Sequence, residues 1–254
     1  MIDIHCHILP GIDDGSKHMS ETLSMAQKAV EEGIDTIIAT PHHKNGQYEN
    51  IKSEIIEQVA DVNLALADQG IALKVIPGQE TRIFGEFIEE YESGKILTLA
   101  DSQYVFVELP SGHVPRYTEQ LLFDIQLKGL TPIIVHPERN SQFIEHPDLL
   151  YKFVKKGTLT QVTASSLCGY FGKKIKAFSQ QLIESNLTHF IASDAHNVKN
   201  RTFKMAEAFD LIDSKYGPDM VYLFTENAEL LVENSNVMRE VPEPVKRKKF
   251  LGIF

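Results

Sequence analysis

The sequence predicts an α/β fold with a parallel sheet, and three features indicate it. Short apolar runs rich in β-branched residues alternate along the chain with longer segments whose apolar residues recur at helical spacing. A glycine follows several of the helical segments, as expected where a helix ends in a left-handed residue. The number of strand–helix repeats, about seven, favours a closed or nearly closed barrel over an open sheet.

Each helical segment is predicted from an apolar stripe followed by a glycine. In the first, over 21–32, the residues Leu23, Ala26 and Val30 recur three and four positions apart. The same pattern predicts helices over 49–69, 117–128 and 149–156, and the four segments are followed by Gly33, Gly70, Gly129 and Gly157. We expect these helices to connect the parallel strands.

The strands are predicted from the short apolar runs between these helices. The run at 36–39 reads Thr-Ile-Ile-Ala, and the run at 132–135 reads Pro-Ile-Ile-Val. The other strands are predicted at 2–5, 73–76, 104–109, 159–163 and 189–193. No linker or change of composition divides the chain before about residue 235, so residues 1–235 are predicted to form one barrel domain.

Composition and charge exclude several classes of protein. A formal net charge of −10 argues against a nucleic-acid-binding protein, because such proteins need a basic surface. Two cysteines, Cys6 and Cys168, cannot build a disulfide framework, which indicates a reducing compartment. No signal peptide is recognisable, and no apolar run approaches the roughly 18 residues of a membrane span. We therefore expect a cytoplasmic protein.

Residues 236–254 differ from the rest of the chain and are predicted to form a C-terminal extension. The segment contains two prolines, four successive basic residues at 246–249 and then a largely apolar end. One interpretation is a tail packed loosely against the body of the protein. The other is a docking segment for an acidic membrane surface or for a protein partner.

Side chains that bind metal ions recur where the predicted strands end. The first strand leads into His5-Cys6-His7, and because side chains alternate along a strand, His5 and His7 point the same way. In a parallel barrel the carboxyl ends of the strands meet on one face, where active sites lie. Following each strand to its end gives eight candidate metal ligands: His5, His7, His42, Glu80, Glu108, His136, Asp194 and His196.

This set predicts a centre with more than one metal ion. A single histidine of this kind is more often structural, but five of the ten histidines fall at strand ends together with three carboxylates. Eight ligands exceed the four of a tetrahedral zinc, so they suit two or three ions bridged by carboxylates. Imidazoles and carboxylates without a thiolate favour Mn, Fe, Co or Zn. Cys6 faces away from His5 and His7 and is expected in the core.

The charge of such a centre favours an anionic substrate. Three divalent ions would leave a positive pocket that a phosphate monoester neutralises, whereas two ions would leave it nearly neutral. Arg139 and Arg201 follow two of the ligand motifs, and guanidinium groups bind phosphate oxygens in bidentate fashion. The alternative is that both arginines form surface ion pairs. Asp13 and Asp14 form either a turn or a support for the metal centre or the leaving group.

Several motifs together resemble those of the polymerase-and-histidinol-phosphatase (PHP) superfamily. They are M-I-D-I-H-C-H-I-L-P-G-I-D-D-G, A-T-P-H-H, P-G-Q-E, V-E-L-P, V-H-P-E-R-N and A-S-D-A-H-N. More narrowly, nearly the whole chain is similar to the manganese-dependent tyrosine-protein phosphatases of Gram-positive capsule and exopolysaccharide gene clusters.

The resemblance implies a fold, a cofactor and a substrate. The fold would be a distorted (β/α)7 barrel of the PHP type, with parallel strands and outer helices. The cofactor would be Mn²⁺ in a trinuclear site held by the same eight ligands, with Fe, Co or Zn as alternatives, and Arg139 and Arg201 would bind the phosphate. The substrate would be the phosphotyrosine-containing tail of a bacterial tyrosine kinase that controls capsular or extracellular polysaccharide synthesis.

The expected mechanism is attack by a metal-bound hydroxide without a phosphocysteine intermediate. Neither cysteine begins a Cys-x5-Arg loop, because the sixth residue after Cys6 is Ile12 and the sixth after Cys168 is Lys174. The sequence does not choose the general acid among His42, a metal-bound water and Asp14.

Other functions stay open beside this one. One alternative is a small-molecule phosphatase of the same fold, of the histidinol-phosphate type. Another is a metal-loaded scaffold that docks a kinase, through the C-terminal extension, without catalysing a reaction. An amidohydrolase is less favoured, because Glu80 and Glu108 stand at strand ends where that family would need a carbamylated lysine.

Overall fold

The computed structural model describes residues 1–246 of the chain. The end of the predicted C-terminal extension, 247–254, with three of its four basic residues and its apolar end, lies outside the described residues. Strands and helices alternate along 1–246, which confirms the α/β class. No helix of this part is both long and apolar enough to cross a bilayer.

Short parallel strands form two sheets. The strands are β1 (Ile2–Cys6), β2 (Thr36–Ala39), β3 (His42–His43), β4 (Lys74–Pro77), β5 (Glu80–Arg82), β6 (Tyr104–Glu108), β7 (Thr131–Val135), β8 (Leu159–Thr163) and β9 (Phe190–Ala192). One sheet has the order β1-β2-β4 and the other the order β3-β5-β6-β7-β8-β9. Every neighbouring pair is parallel, so the chain must cross back between strands, and helices make most of these connections.

Two further short strands, β3 and β5, follow the predicted strands β2 and β4 after breaks of two residues, which divides the strands between two sheets. Thr40 and Pro41 separate β2 from β3, and Gly78 and Gln79 separate β4 from β5. Pro41 has no N–H to donate to a ladder. At Gly78 an added Cβ would lie 2.6 Å from Ile38 Cγ2, so the backbone passes its neighbour too closely for a larger residue. β3 and β5 went unpredicted because they contain only two and three residues.

The outer strands of the two sheets, β1 and β9, lie side by side at their carboxyl ends. Asp194 N donates to His5 O at 2.8 Å, and His7 N donates to Ala195 O at 2.9 Å. These hydrogen bonds place the H-x-H motif at the start of the chain directly beside the D-A-H motif near its end.

The helices are α1 (Met19–Glu31), α2 (Lys52–Asp68), α3 (Phe87–Glu92), α4 (Thr118–Leu127), α5 (Ser141–Glu145), α6 (Pro147–Lys155), α7 (Ala164–Cys168), α8 (Lys173–Glu184), α9 (Met205–Tyr216) and α10 (Pro218–Val232). α1, α2, α4 and α6 confirm the four predicted helices, with their ends shifted by three residues or fewer. The glycines predicted to follow these helices all have a positive φ. The remaining helices were not predicted.

The strands separate the core into two parts. Along β6, Val105 and Val107 face the cluster that the helices cover, whereas Tyr104 and Phe106 face a second cluster shared with Ile4 of β1. The ring of His5 lies 4.9 Å from the ring of Phe106, measured between centroids. This second cluster therefore forms the apolar floor beneath the ends of the strands.

A buried histidine just before β9 makes the stability depend on pH. Thr160 N donates to His189 Nδ1 at 3.1 Å, and burial, assisted by the charge of Arg239, lowers the pKa of His189 from 6.5 to about 3. The unfolded chain therefore takes up this proton below pH 6.5 and the folded chain only near pH 3, so the free energy of unfolding falls as the pH drops through this window.

We expect His189→Asn, which keeps an acceptor near the Nδ1 position, to be less sensitive to acid. Between about pH 7.5 and about pH 5 the variant should lose about 2 kcal/mol less unfolding free energy than the unchanged protein, measured by urea denaturation. An equal loss in both proteins would contradict the assignment.

Candidate metal centre

All eight predicted ligands lie at one face of the fold. Six are at or just after the carboxyl ends of their strands, and His42 and Glu80 begin the short strands that follow β2 and β4. β1 carries His5 with His7 just after it, β3 begins with His42, β5 begins with Glu80, β6 ends with Glu108, His136 follows β7, and Asp194 and His196 follow β9. All are buried except His42 and His136, which are partly exposed. His136 and Asp194 have φ values of 36° and 52°. This left-handed conformation costs about 1–3 kcal/mol outside glycine and recurs at functional sites.

Glu80 lies at the centre of the group. Its Oε2 lies 3.5 Å from His5 Nε2, 3.3 Å from His7 Nε2 and 2.8 Å from His42 Nδ1, and its Oε1 lies 2.8 Å from His136 Nε2. One fully buried carboxylate therefore contacts four imidazoles. A carboxylate with both oxygens placed in this way is suited to bridging two cations.

Hydrogen bonds orient the two histidines of the H-x-H motif. His5 Nδ1 donates to Gln161 Oε1 at 2.9 Å, and His7 Nδ1 donates to Asp13 Oδ2 at 2.7 Å. Both rings thereby direct Nε2 toward Asp194, whose Oδ1 lies 3.6 Å from His5 Nε2 and 3.4 Å from His7 Nε2. Fixing Nδ1–H in this way is how proteins prepare a histidine for metal binding. Asp13 is thus a support for the site.

Asp14 also contacts histidines of the group. Its Oδ1 lies 3.3 Å from His42 Nε2 and 3.2 Å from His196 Nε2, and the ring of His196 stacks on that of His7 with 3.8 Å between centroids. Along residues 1–246, three overlapping sets offer ligand atoms within 4.8 Å of one another: His7, Asp14, His42 and His196; His5, His7 and Glu80; and His42, Glu80 and Glu108. The alternative of a simple turn at Asp14 is therefore not favoured.

The donor atoms of the group fit divalent cations. Glu80 Oε2, Glu108 Oε2 and His196 Nε2 are buried, and no group in the described part of the chain makes a hydrogen bond to them. A buried acceptor without a partner costs about 1–3 kcal/mol. Glu80 and Glu108 offer ligand atoms within 4.8 Å of each other, and His196 Nε2 lies 3.2 Å from Asp14 Oδ1, so a cation bound at either place would offset this cost. The mixture of imidazole and carboxylate without thiolate suits Mn, Fe, Co or Zn.

Burial and neighbouring charges shift the carboxylate pKa values in opposite directions. Burial by itself raises the pKa of each, but the charge of His42 holds the pKa of Glu80 well below its usual range, and Arg139 does the same for Asp194. Glu108 behaves differently, because burial and then the charge of Glu80 raise its pKa to about 7. Cationic neighbours therefore stabilise the charged forms of Glu80 and Asp194, whereas Glu108 lies beside a carboxylate of like charge.

Both predicted arginines reach the centre. They line a cavity of about 240 Å³ together with His42, Glu108, His136 and Asp194. Arg139 Nη2 lies 2.6 Å from Asp194 Oδ2, while Arg201 Nη2 lies 3.5 Å from the same oxygen and Arg201 Nη1 donates to Asp14 Oδ2 at 3.1 Å. Each guanidinium group therefore pairs with a carboxylate inside the site, at the edge of the cavity.

Two residues of the site went unpredicted. Arg82 Nε lies 3.2 Å from Glu108 Oε2, and a signal for it existed, because Arg82 follows Glu80 by two residues and shares its face of β5. Gln161, the partner of His5, is a neutral side chain in the middle of β8. Nothing in the local sequence distinguishes it from an ordinary strand residue.

The two cysteines do not form part of the centre. Cys6 is fully buried in the cluster that the helices cover, which confirms its predicted place in the core. Its Sγ donates to Ala195 O at 3.5 Å, and burial raises the pKa of the thiol well above its ordinary value. Burial also raises the pKa of Cys168, to about 12. Neither thiol is therefore an activated thiolate at neutral pH.

Known proteins are similar to this chain over its whole length. The tyrosine-protein phosphatase YwqE of Bacillus subtilis is 50% identical over 254 residues, and the putative tyrosine-protein phosphatase CapC of Staphylococcus aureus is 36% identical; each alignment covers 100% of both chains. A solved structure matches with a TM-score of 0.95 at 51% identity, over 97% of this chain and 100% of that chain. It comes from work on YwqE from Bacillus subtilis and CpsB from Streptococcus pneumoniae, described as unique metal-dependent tyrosine phosphatases.

The family assignment agrees with these relatives. The family model described as capsular polysaccharide synthesis, CpsB/CapC, matches residues 1–233, which include all the candidate ligands and both arginines. The match therefore spans β1 to α10. This chain belongs to the CpsB/CapC family of capsular polysaccharide synthesis proteins.

Proposed function

We propose that this chain is a metal-dependent protein-tyrosine phosphatase acting on a bacterial tyrosine kinase that regulates capsular or extracellular polysaccharide synthesis. The observation that carries the proposal is the position of Glu80, whose carboxylate contacts four imidazoles. Arg139 and Arg201 line the cavity next to it. Relatives named tyrosine-protein phosphatases, which cover the whole chain, support phosphotyrosine as the substrate.

The cofactor would be three divalent ions, Mn²⁺ in preference to Fe, Co or Zn. Three overlapping ligand sets support this number, since each pair of sets shares one residue, either His7, His42 or Glu80. Asp194 and His136 contact members of these sets and would complete the coordination. When bound, such ions supply a water activated near neutral pH and neutralise the charge of phosphate oxygens.

The side chains of the protein bind and orient the substrate. Arg139 and Arg201 present guanidinium forks that bind the non-bridging oxygens of the phosphate. Asp194 holds both arginines at the cavity, and Asp14 holds Arg201 from the other side. Charge that spreads over these oxygens during an in-line displacement is thereby stabilised. The tyrosyl oxygen leaves as a phenolate of solution pKa about 10, so a general acid helps but is not essential.

We further propose that residues 1–235 form one domain, a distorted (β/α)7 barrel of the PHP type. If β2 with β3, and β4 with β5, are each taken as one interrupted strand, the chain has seven strand positions. The contact of β1 with β9 supports closure of the barrel. For the C-terminal extension we favour packing against the body, because Glu243 N donates to Ser185 O at 2.8 Å and Val245 is buried.

Metal removal tests the proposed function. We expect a chelator to abolish hydrolysis of a phosphotyrosyl peptide, and Mn²⁺ to restore the activity better than Mg²⁺, since Mg²⁺ takes oxygen ligands and loses its waters reluctantly, whereas five of the candidate ligands are imidazoles. Elemental analysis must show that the metal has left the protein. Full activity of metal-free protein would reject the proposal, and a higher kcat/KM for histidinol phosphate than for the peptide would favour a small-molecule phosphatase.

Substitution of the cysteine between the two histidines tests the absence of a covalent intermediate. We expect Cys6→Ser to keep most of the phosphatase activity, because the buried thiol packs outward against apolar side chains. The check is kcat for a phosphotyrosyl peptide together with the metal content. Loss of turnover with metal content intact would instead implicate the thiol in the reaction.

A further inference from the structure

Two aromatic side chains pack on residues that line the cavity. The ring of Tyr48 is nearly parallel to the ring of His42, with 6.2 Å between centroids and 7° between planes. The ring of Phe171 lies 5.6 Å from the guanidinium carbon of Arg139. Since His42 and Arg139 both line the cavity, an aromatic ring lies next to each of these two parts of its wall.

A hydrogen-bonded turn holds Tyr48 in place. Asn45 Oδ1 accepts hydrogen bonds from Gln47 N at 3.0 Å and from Tyr48 N at 2.9 Å, which fixes the turn that carries Tyr48. Both rings are partly exposed, so each keeps surface available to a ligand.

A tight connection between α7 and α8 carries the second ring. Phe171 lies in this connection, between Gly169 and Gly172 with φ values of 101° and 95°. Glycine adopts such angles at little cost, so the turn projects Phe171 without strain. The neighbouring Tyr170 points to a different partner, because its hydroxyl donates to Glu207 at 2.9 Å.

We infer that Tyr48 and Phe171 contact the aromatic ring of the substrate and so select aryl phosphates over alkyl phosphates. The inference rests on the proposed function, which places the phosphate at Arg139 and Arg201. In phosphotyrosine the ring is joined to the phosphate through one oxygen, so a phosphate at these arginines places the ring at the rim of the cavity. Aromatic pairs attract beyond the area that they bury, and a linear alkyl chain lacks that contribution.

A second role for Phe171 has to be separated from this one. A ring packed on a guanidinium group also restricts the orientation of that group. If Phe171 acted only by positioning Arg139, its removal would weaken every phosphate ligand equally. If it contacts the substrate ring, its removal weakens aryl ligands selectively.

Competitive inhibition by phosphonates distinguishes the two roles, because phosphonates are not hydrolysed and leaving-group effects disappear. The probes are phenylphosphonate, propylphosphonate and inorganic phosphate, used with the full chain in Mn²⁺. The variants are Phe171→Leu and Tyr48→Leu, which keep apolar volume but remove the ring, with Phe171→Tyr as the conservative replacement. Phe123→Leu serves as the matched control, because Phe123 is an exposed phenylalanine on α4 outside the cavity.

We expect each leucine variant to raise the inhibition constant of phenylphosphonate about threefold to tenfold relative to that of propylphosphonate. Phe171→Tyr should restore the preference, and Phe123→Leu should leave it unchanged. An equal rise for all three probes, or an unchanged preference in both leucine variants, would overturn the inference. The proposed function is judged separately, by turnover of a phosphotyrosyl peptide by the unchanged protein in Mn²⁺.

Discussion

Glu80→Gln is expected to lower kcat/KM for a phosphotyrosyl peptide by about 1,000-fold or more and to release metal from the protein. The amide has the shape of the carboxylate, so the packing around position 80 is kept. It lacks the negative charge and one of the two acceptor oxygens, and that carboxylate is the group that contacts four imidazoles. Elemental analysis of the purified variant and steady-state kinetics measure the two effects.

The control for this substitution is another glutamate paired with a histidine. Glu90 Oε2 lies 3.5 Å from His43 Nε2, and Glu90 Oε1 lies 3.0 Å from Lys44 Nζ, outside the candidate centre. Glu90→Gln should therefore keep both metal and activity. If Glu80→Gln behaved like this control, Glu80 would not be a metal ligand.

Arg139→Ala is expected to reduce kcat/KM by about 100-fold to 1,000-fold while the metal content stays unchanged. Arg139 contacts Asp194 through Nη2 and faces the cavity, but it offers no donor atom to a cation. Arg139→Lys should recover only part of the loss, because an ammonium group cannot bind two phosphate oxygens as a planar fork does. Kinetics and elemental analysis of both variants check this expectation.

An exposed arginine provides the control for this second experiment. Arg116 lies on the surface beside the groove between α4 and α6, so Arg116→Ala should leave the kinetics unchanged. Normal kinetics in Arg139→Ala would remove Arg139 from phosphate binding. Loss of metal in that variant would mean that Arg139 acts mainly by holding Asp194.

The candidate ligands could be predicted because their geometry is local. Two residues two positions apart on an extended segment point the same way, as in His5 and His7, and parallel strands bring their carboxyl ends together. The partners of these ligands depend on contacts across the fold. Gln161 is distant in sequence from His5, and it is recognisable only when β8 and β1 are placed in space.

Secondary structure was likewise predicted where its signals are local in the sequence, and missed where they are not. α1, α2, α4 and α6 combine an apolar face with a terminal glycine, and their positions were predicted. At the position where these four helices have glycine, α8 and α10 have Asn186 and Asn234, both with a positive φ, so the glycine signal is missing. The break at Gly78 was also missed, because it depends on how closely neighbouring strands pass.

The left-handed backbone at His136 and Asp194 has a consequence for the evolution of the family. Both residues lie in the left-handed region, which costs about 1–3 kcal/mol each outside glycine, and packing elsewhere must offset this cost. Relatives that depend on catalysis must keep both residues and their conformational cost. Relatives that have lost catalysis gain stability when either residue is exchanged for glycine. Glycine at these two positions should therefore mark relatives that have ceased to be enzymes.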